Sequence, residues 1–213
     1  MDFVDFSAMS EKKPGLLQYL GQAWLVLMLS VCFGAALAGV ERFTRPKFEQ
    51  NVKDFIARRL VEMFGPGTTT AEPTVLAVQI EGRDRKVRCY PALRDGRRVG
   101  WGIEAEGKGY DTLLLVIGVD EQVKQLKGYR VITSLETEGI GDVIEKDALF
   151  MKQFEDKDAA RPLEPVAEAA PAEGNQVNTR TGATYSTTGV VNTINDTLAA
   201  VREKLAAAAK EGP

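Results

Sequence analysis

The sequence predicts an α+β domain carried behind one apolar helix, and three observations predict it. No charged residue occurs from Pro14 to Val40, five strand-like runs lie between Val75 and Leu135, and an apolar stripe at helical spacing closes the chain.

The elements follow in order. A short tail, residues 1–15, precedes the stretch AWLVLMLSVCFGAALAGV, Ala23 to Val40. With Leu16 to Tyr19 in front, it reaches the roughly 20 residues a helix needs to cross about 30 Å of hydrocarbon. Residues 16–41 are therefore expected to span a membrane, with Trp24 at interfacial depth and Cys32 a small apolar residue of the span. Ala36-Leu37-Ala38 behind Lys12 and Lys13 also fits a signal-peptidase site, so a cleaved leader is the competing reading. Residues 42–67 put Phe48, Val52, Phe55, Ile56, Leu60, Met63 and Phe64 at helical spacing and stop at Gly65-Pro66-Gly67, which predicts an amphipathic connecting helix.

Residues 68–213 remain for the domain. VLAVQI, KVRCY, RRVGWGIEAEG, TLLLVIGV and LKGYRVITSL are separated by turn signals such as Arg94-Asp95-Gly96. They imply a mainly antiparallel sheet of about five strands, the last placing Tyr129, Val131, Thr133 and Leu135 on one face, with Trp101 and Tyr110 as core or sheet-face residues. PLEPVAEAAPAEG, Pro162 to Gly174, reads as an extended connection. Val191, Ile194, Leu198, Val201 and Leu205 then mark a C-terminal amphipathic helix expected to dock on the sheet.

Composition excludes several chemistries. The 213 residues carry a formal charge of −3, without the basic excess of a nucleic-acid binder. There is no histidine, so no Ser-His-Asp triad, His-ligated zinc or bis-His haem can form within the chain. Cys32 and Cys89 are too few for an iron–sulfur cluster, and no G-x-G-x-x-G is present. Redox chemistry here would need an organic cofactor; no metal site and no catalytic side chain is expected.

The segment TRTGATYSTT, Thr179 to Thr188, stands directly before the last helix. Backbone N–H groups at a helix N-terminus suit an anion such as phosphate, and Gly182 and Ala183 let the backbone come close. The same residues fit an ordinary N-cap.

The order of residues goes further. VNTRTGAT, Val177 to Thr184, resembles the flavinylation motif of the G subunit of the Rnf ion-translocating ferredoxin:NAD oxidoreductase and of the C subunit of the sodium-translocating NADH:quinone oxidoreductase. In that family an acidic residue, two variable positions and Ser or Thr precede Gly-Ala-Thr, whose Thr is esterified to the phosphate of FMN. The motif maps onto residues 178–184, with Asn178 where the family usually has Asp. SLETEGIGDVI, Ser134 to Ile144, resembles the family's ETPGLG loop, with Glu138 for Pro and Ile140 for Leu; Gly100 to Asp120 resembles the preceding strand pair. Overall length favours the G subunit.

The resemblance implies an FMN-binding domain behind a transmembrane helix, with FMN joined to Thr184 by a phosphoester. Thr181, Gly182, Ala183 and Ser186 would surround the attachment point, and Glu136, Thr137 and Ile140 would face the ring. Ser186, Thr187 and Thr188 fit phosphate contacts and helix capping equally well. A separate FMN transferase would make the bond. The protein would relay electrons between cofactors of neighbouring membrane subunits, with the flavin domain outside the cytoplasm and the anchor in the inner membrane. Local charge runs the other way, since Arg42, Arg45, Lys47 and Lys53 follow the span and only Lys12 and Lys13 closely precede it. Two rivals stand beside this reading: a membrane-anchored scaffold whose TGAT only caps a helix, and the flavin domain of an extracytoplasmic reductase.

Overall fold

The structure, a computed structural model, describes residues 16–134 and 141–210, and it divides into two units between Gln50 and Asn51. Helix α1 (Leu16–Phe64) supplies the described part of the N-terminal unit with its residues up to Gln50. There Trp24, Leu25, Val26, Leu29, Val31 and Phe33 all lie more than half exposed. Burying such side chains is worth about 1.5–3 kcal/mol each, so a bare apolar helix surface calls for a non-aqueous surrounding. The apolar part of α1 has a mean hydropathy of 2.2 and is long enough to cross a membrane.

The second unit is built on an antiparallel sheet. Its long strands are β2 (Thr74–Ile80), β3 (Arg83–Arg94), β4 (Arg97–Lys108), β5 (Thr112–Asp120) and β6 (Gln125–Ser134), which are the five runs read from the sequence. Two short strands, β1 (Thr69–Thr70) and β7 (Glu155–Asp158), raise the total to seven. The order is β1-β3-β4-β5-β6-β7, with β2 paired to the same edge of β3 as β1. Strands of two and four residues are too short to display a period, which is why the sequence hid them.

Helix α4 (Thr184–Lys210) covers one sheet face over β2, β4 and β5. It buries Val191, Ile194, Leu198, Val201 and Leu205, the stripe expected from their spacing. On the other face, Ile56 and Leu60 of α1 pack with Tyr90 and Val116. Strand β5 is thus buried on both sides, which explains its nearly unbroken apolar run.

Beyond β6 lie α2 (Val143–Lys146) and α3 (Ala148–Lys152), two short helices without a sequence signature. Tyr129, Phe150 and Phe154 hold them to β6 in an edge-to-face cluster, with ring centroids 4.7 to 6.5 Å apart. Tyr129 also donates to the carbonyl of Ile144 at 2.7 Å, and burial raises its phenol well above the usual range.

Three expectations change. Tyr129 and Val131 share the buried face, but Thr133 is exposed because the β5–β6 register shifts between Leu114 and Leu115; Leu135 lies outside the described residues. Trp101 is in the core, whereas Tyr110 is exposed on the turn between β4 and β5, where no sheet face covers it. The expected connection from Pro162 to Gly174 contains β8 (Glu164–Val166), which pairs in parallel with β9 (Gln176–Asn178).

Candidate functional site

The hydroxyl-rich segment leaves β9, turns at Thr181-Gly182 and enters α4 at Thr184. Gly182 sits at φ +85°, a left-handed conformation that side-chain-bearing residues rarely adopt, so the Gly of TGAT is required by the turn itself.

Small residues set where α4 begins. A Cβ on Gly189 would lie 2.5 Å from Gly109 Cα and 2.7 Å from the carbonyl oxygen of Lys108. One turn later, a Cβ on Gly107 would overlap the hydroxyl of Thr193 at 1.8 Å. These absent side chains bring the first turns of α4 against the end of β4, and Thr184 with them.

A polar clamp fixes the turn from the other side. Asp147 caps α3, accepting from the N–H groups of Leu149 at 2.8 Å and Phe150 at 3.0 Å, and also receives Arg180 Nε at 2.8 Å. Burial opposes ionisation of Asp147, yet the hydrogen bond from Arg180, the N–H of Phe150, the nearby guanidinium charge and the N–H of Leu149 hold its carboxyl below the usual value. The Arg180 guanidinium also lies 5.7 Å from the Phe150 ring centroid. The aromatic cluster on β6 therefore places α3, α3 places Asp147, and Asp147 holds Arg180 of the motif.

Within the segment the hydroxyls differ. Thr187 is fully buried; its hydroxyl reaches the carbonyls of Ala183 at 2.9 Å and Thr184 at 3.2 Å and lies 3.4 Å from the N–H of Arg180, which donates to it. Ser186 is buried too. Thr184 is exposed, and its hydroxyl donates one long bond, 3.4 Å, to the carbonyl of Arg180. Beside it opens a cleft of about 510 Å³, lined by Asp142, Val143, Lys146, Asp147 and residues 180–183. Thr181, Gly182 and Ala183 are thus brought together at the cleft with Thr184 next in the chain, while Ser186 faces inward. Glu136, Thr137 and Ile140 lie outside the described residues.

Arg180, Asp147, Glu168 and Gln153 complete the site beyond the residues that the sequence marks. Only Arg180 had a local signal, as the one cation inside the motif. The others come from separate segments and meet only in the fold.

An exposed hydroxyl at the first residue of a helix, beside a glycine turn and an open cleft, is an arrangement that suits a phosphoester. Residues 109–199 match the FMN-binding domain family. The matched span contains β5, β6, the cleft, TGAT and most of α4. The chain is 28% identical over 195 residues to the G subunit of the ion-translocating oxidoreductase complex of Pseudomonas aeruginosa, in both strain UCBPP-PA14 and strain PAO1, covering 86% of this chain and 90% of each relative. Among solved structures it is similar to the C subunit of the Na(+)-translocating NADH-quinone reductase from Parabacteroides distasonis, with TM-score 0.50 and 21% identity over 56% of this chain and 63% of that one. It is also similar to Shewanella oneidensis NqrC, with TM-score 0.51 and 19% identity over 70% and 71%. At those identities the likeness is one of fold. The family resemblance drawn from the TGAT motif and the α+β class are both borne out.

Proposed function

We propose that this protein is the flavin-bearing electron-transfer subunit of a membrane-bound, ion-translocating oxidoreductase of the Rnf type, with FMN joined through its phosphate to Thr184. The observation that carries the reading is the contrast among the segment's hydroxyls. Esterifying Thr184 would cost one 3.4 Å hydrogen bond at an exposed site, whereas esterifying Thr187 would break a buried set.

The residues present fit the group. The first-turn N–H groups of α4 have no intrahelical acceptors, and they carry the positive end of the helix dipole, which favours a phosphate ester. Lys146 and Arg180 on the cleft wall are ion-paired with Asp142 and Asp147, so the helix terminus rather than net side-chain charge would favour the phosphate, and Gly182 clears the approach. By resemblance, Glu136, Thr137 and Ile140 would face the ring. When bound, FMN supplies one- and two-electron chemistry that no side chain of this chain can supply.

By the resemblance, a separate FMN transferase would join the flavin from FAD, which fits the lack of a histidine to activate the hydroxyl. The Thr184 oxygen forms the new P–O bond, the pyrophosphate bond of FAD breaks, AMP leaves and the hydroxyl proton passes to solvent. The apolar N-terminal helix supports membrane anchorage, and the resemblance supports an extracytoplasmic flavin domain and cofactor-bearing membrane proteins as partners. Lacking a dinucleotide fingerprint and cluster ligands, the chain would relay electrons rather than oxidise NADH or ferredoxin alone.

The test is coexpression with an FMN transferase, followed by denaturation and intact-mass measurement of the parent and Thr184→Ala. A parent heavier by one esterified FMN, with an unmodified variant, is expected. An unmodified parent beside a demonstrably active transferase would return TGAT to helix capping.

A further inference from the structure

Asn178 occupies the position where the flavinylation motif usually has Asp, and its side chain does something that an aspartate cannot. Both N–H groups of its carboxamide are used: Nδ2 donates to the carbonyl of Ala167 at 2.9 Å and to that of Ala170 at 2.7 Å. Two carbonyl partners fix the orientation of the amide, because only its nitrogen can donate. A carboxylate there would set its lone pairs against two carbonyl oxygens, with no donor between them.

The turn that Asn178 grips, Ala167 to Ala170, is closed by the N–H of Ala170 donating to the carbonyl of Ala167 at 3.0 Å. It carries Glu168, whose carboxylate accepts from the N–H of Thr181 at 2.9 Å and lies 3.9 Å from Arg180 Nε. The N–H of Thr181, then its hydroxyl and the charge of Arg180, keep the Glu168 carboxyl below its usual value. Asn178 itself is anchored through its backbone, which exchanges hydrogen bonds with the Gln153 side chain at 2.8 and 3.2 Å.

We infer that Asn178 is a positioning residue for the attachment of FMN: through the Ala167–Ala170 turn and Glu168 it holds the Thr181-Gly182 turn that presents Thr184, so the motif's usual Asp would impair attachment in this chain. The inference rests on the assignment of Thr184 as acceptor. It reverses what the motif alone predicts, since a transferase that reads charge at this position would favour aspartate.

The experiment follows FMN incorporation into the full chain in detergent, with purified FMN transferase and FAD, by intact mass against time. Asn178→Asp, Asn178→Ala and Glu168→Ala are compared with the parent, together with amide hydrogen exchange of the unmodified proteins. Both Asn178 variants should incorporate FMN about tenfold more slowly, as expected for losing two hydrogen bonds, with faster exchange at Thr181 and unchanged exchange in β3 to β5. Glu168→Ala cuts the same link at an exposed side chain, where folding is not at stake, and should also slow incorporation and speed exchange at Thr181. Incorporation into Asn178→Asp as fast as or faster than into the parent overturns the inference. So does normal incorporation into Glu168→Ala, or a slowing accompanied by faster exchange throughout the sheet. A parent that takes up no FMN fails the assignment of Thr184, a different result from a modified parent with unimpaired variants.

Discussion

The two ends of the segment from Thr181 to Thr187 share a composition and differ in what their hydroxyls do. Thr181 and Thr184 are exposed; Ser186 and Thr187 are buried against the domain. One half of the segment presents a reactive group and the other holds it in place. The difference comes from burial and hydrogen-bond supply rather than residue type, because Thr181, Thr184 and Thr187 carry the same secondary alcohol. Thr187 is committed to the carbonyls of Ala183 and Thr184 and accepts from the N–H of Arg180. Thr184 gives up little when it reacts.

Substitutions that break the holding half should have the largest effects on stability. Gly189→Val would drive a side chain into backbone atoms of Lys108 and Gly109, which cannot swing aside. A loss of about 3 kcal/mol in denaturant unfolding is expected, the upper range for overpacking. Thr187→Val keeps the shape and removes the hydroxyl; leaving buried groups unpaired should cost about 1–2 kcal/mol, read from the urea midpoint.

The Asp147–Arg180 clamp should appear as a pH dependence. The folded carboxyl of Asp147 lies below its unfolded value of 3.8, so its contribution is complete above that pH and is lost as pH falls through the lower folded value. Glu168 acts in the same direction from its ordinary value of 4.5. Asp147→Asn should flatten the acid limb of stability against pH and cost under about 1 kcal/mol at neutral pH, since the pair is partly solvated. An unchanged acid limb would remove Asp147 from the clamp.

Smallest of all should be the effect of Thr184→Ala on stability, within about 0.5 kcal/mol as for an exposed surface change. A large loss would place Thr184 in the holding half and erase the contrast.

Much of this molecule was legible in the sequence wherever a period ran long enough. The five long strands and the stripe of α4 each repeat their pattern over seven residues or more. Strands β7 to β9 and helices α2 and α3 span three to five residues each and carry no period. TGAT was legible as a string, with the left-handed Gly182 and exposed Thr184 as its physical content. The clamp was not, because Asp147 is 33 residues from Arg180 and Glu168 is 13 from Thr181. Nor could the spacing tell that Asn178 would turn its amide toward two carbonyls.

The most direct test of the central claim is fragmentation mass spectrometry of the flavin-bearing peptide from protein matured with its transferase. The account predicts FMN on Thr184 alone. FMN on Thr181, Ser186 or Thr187 would contradict the division between presenting and holding hydroxyls, and with it the reading of the site.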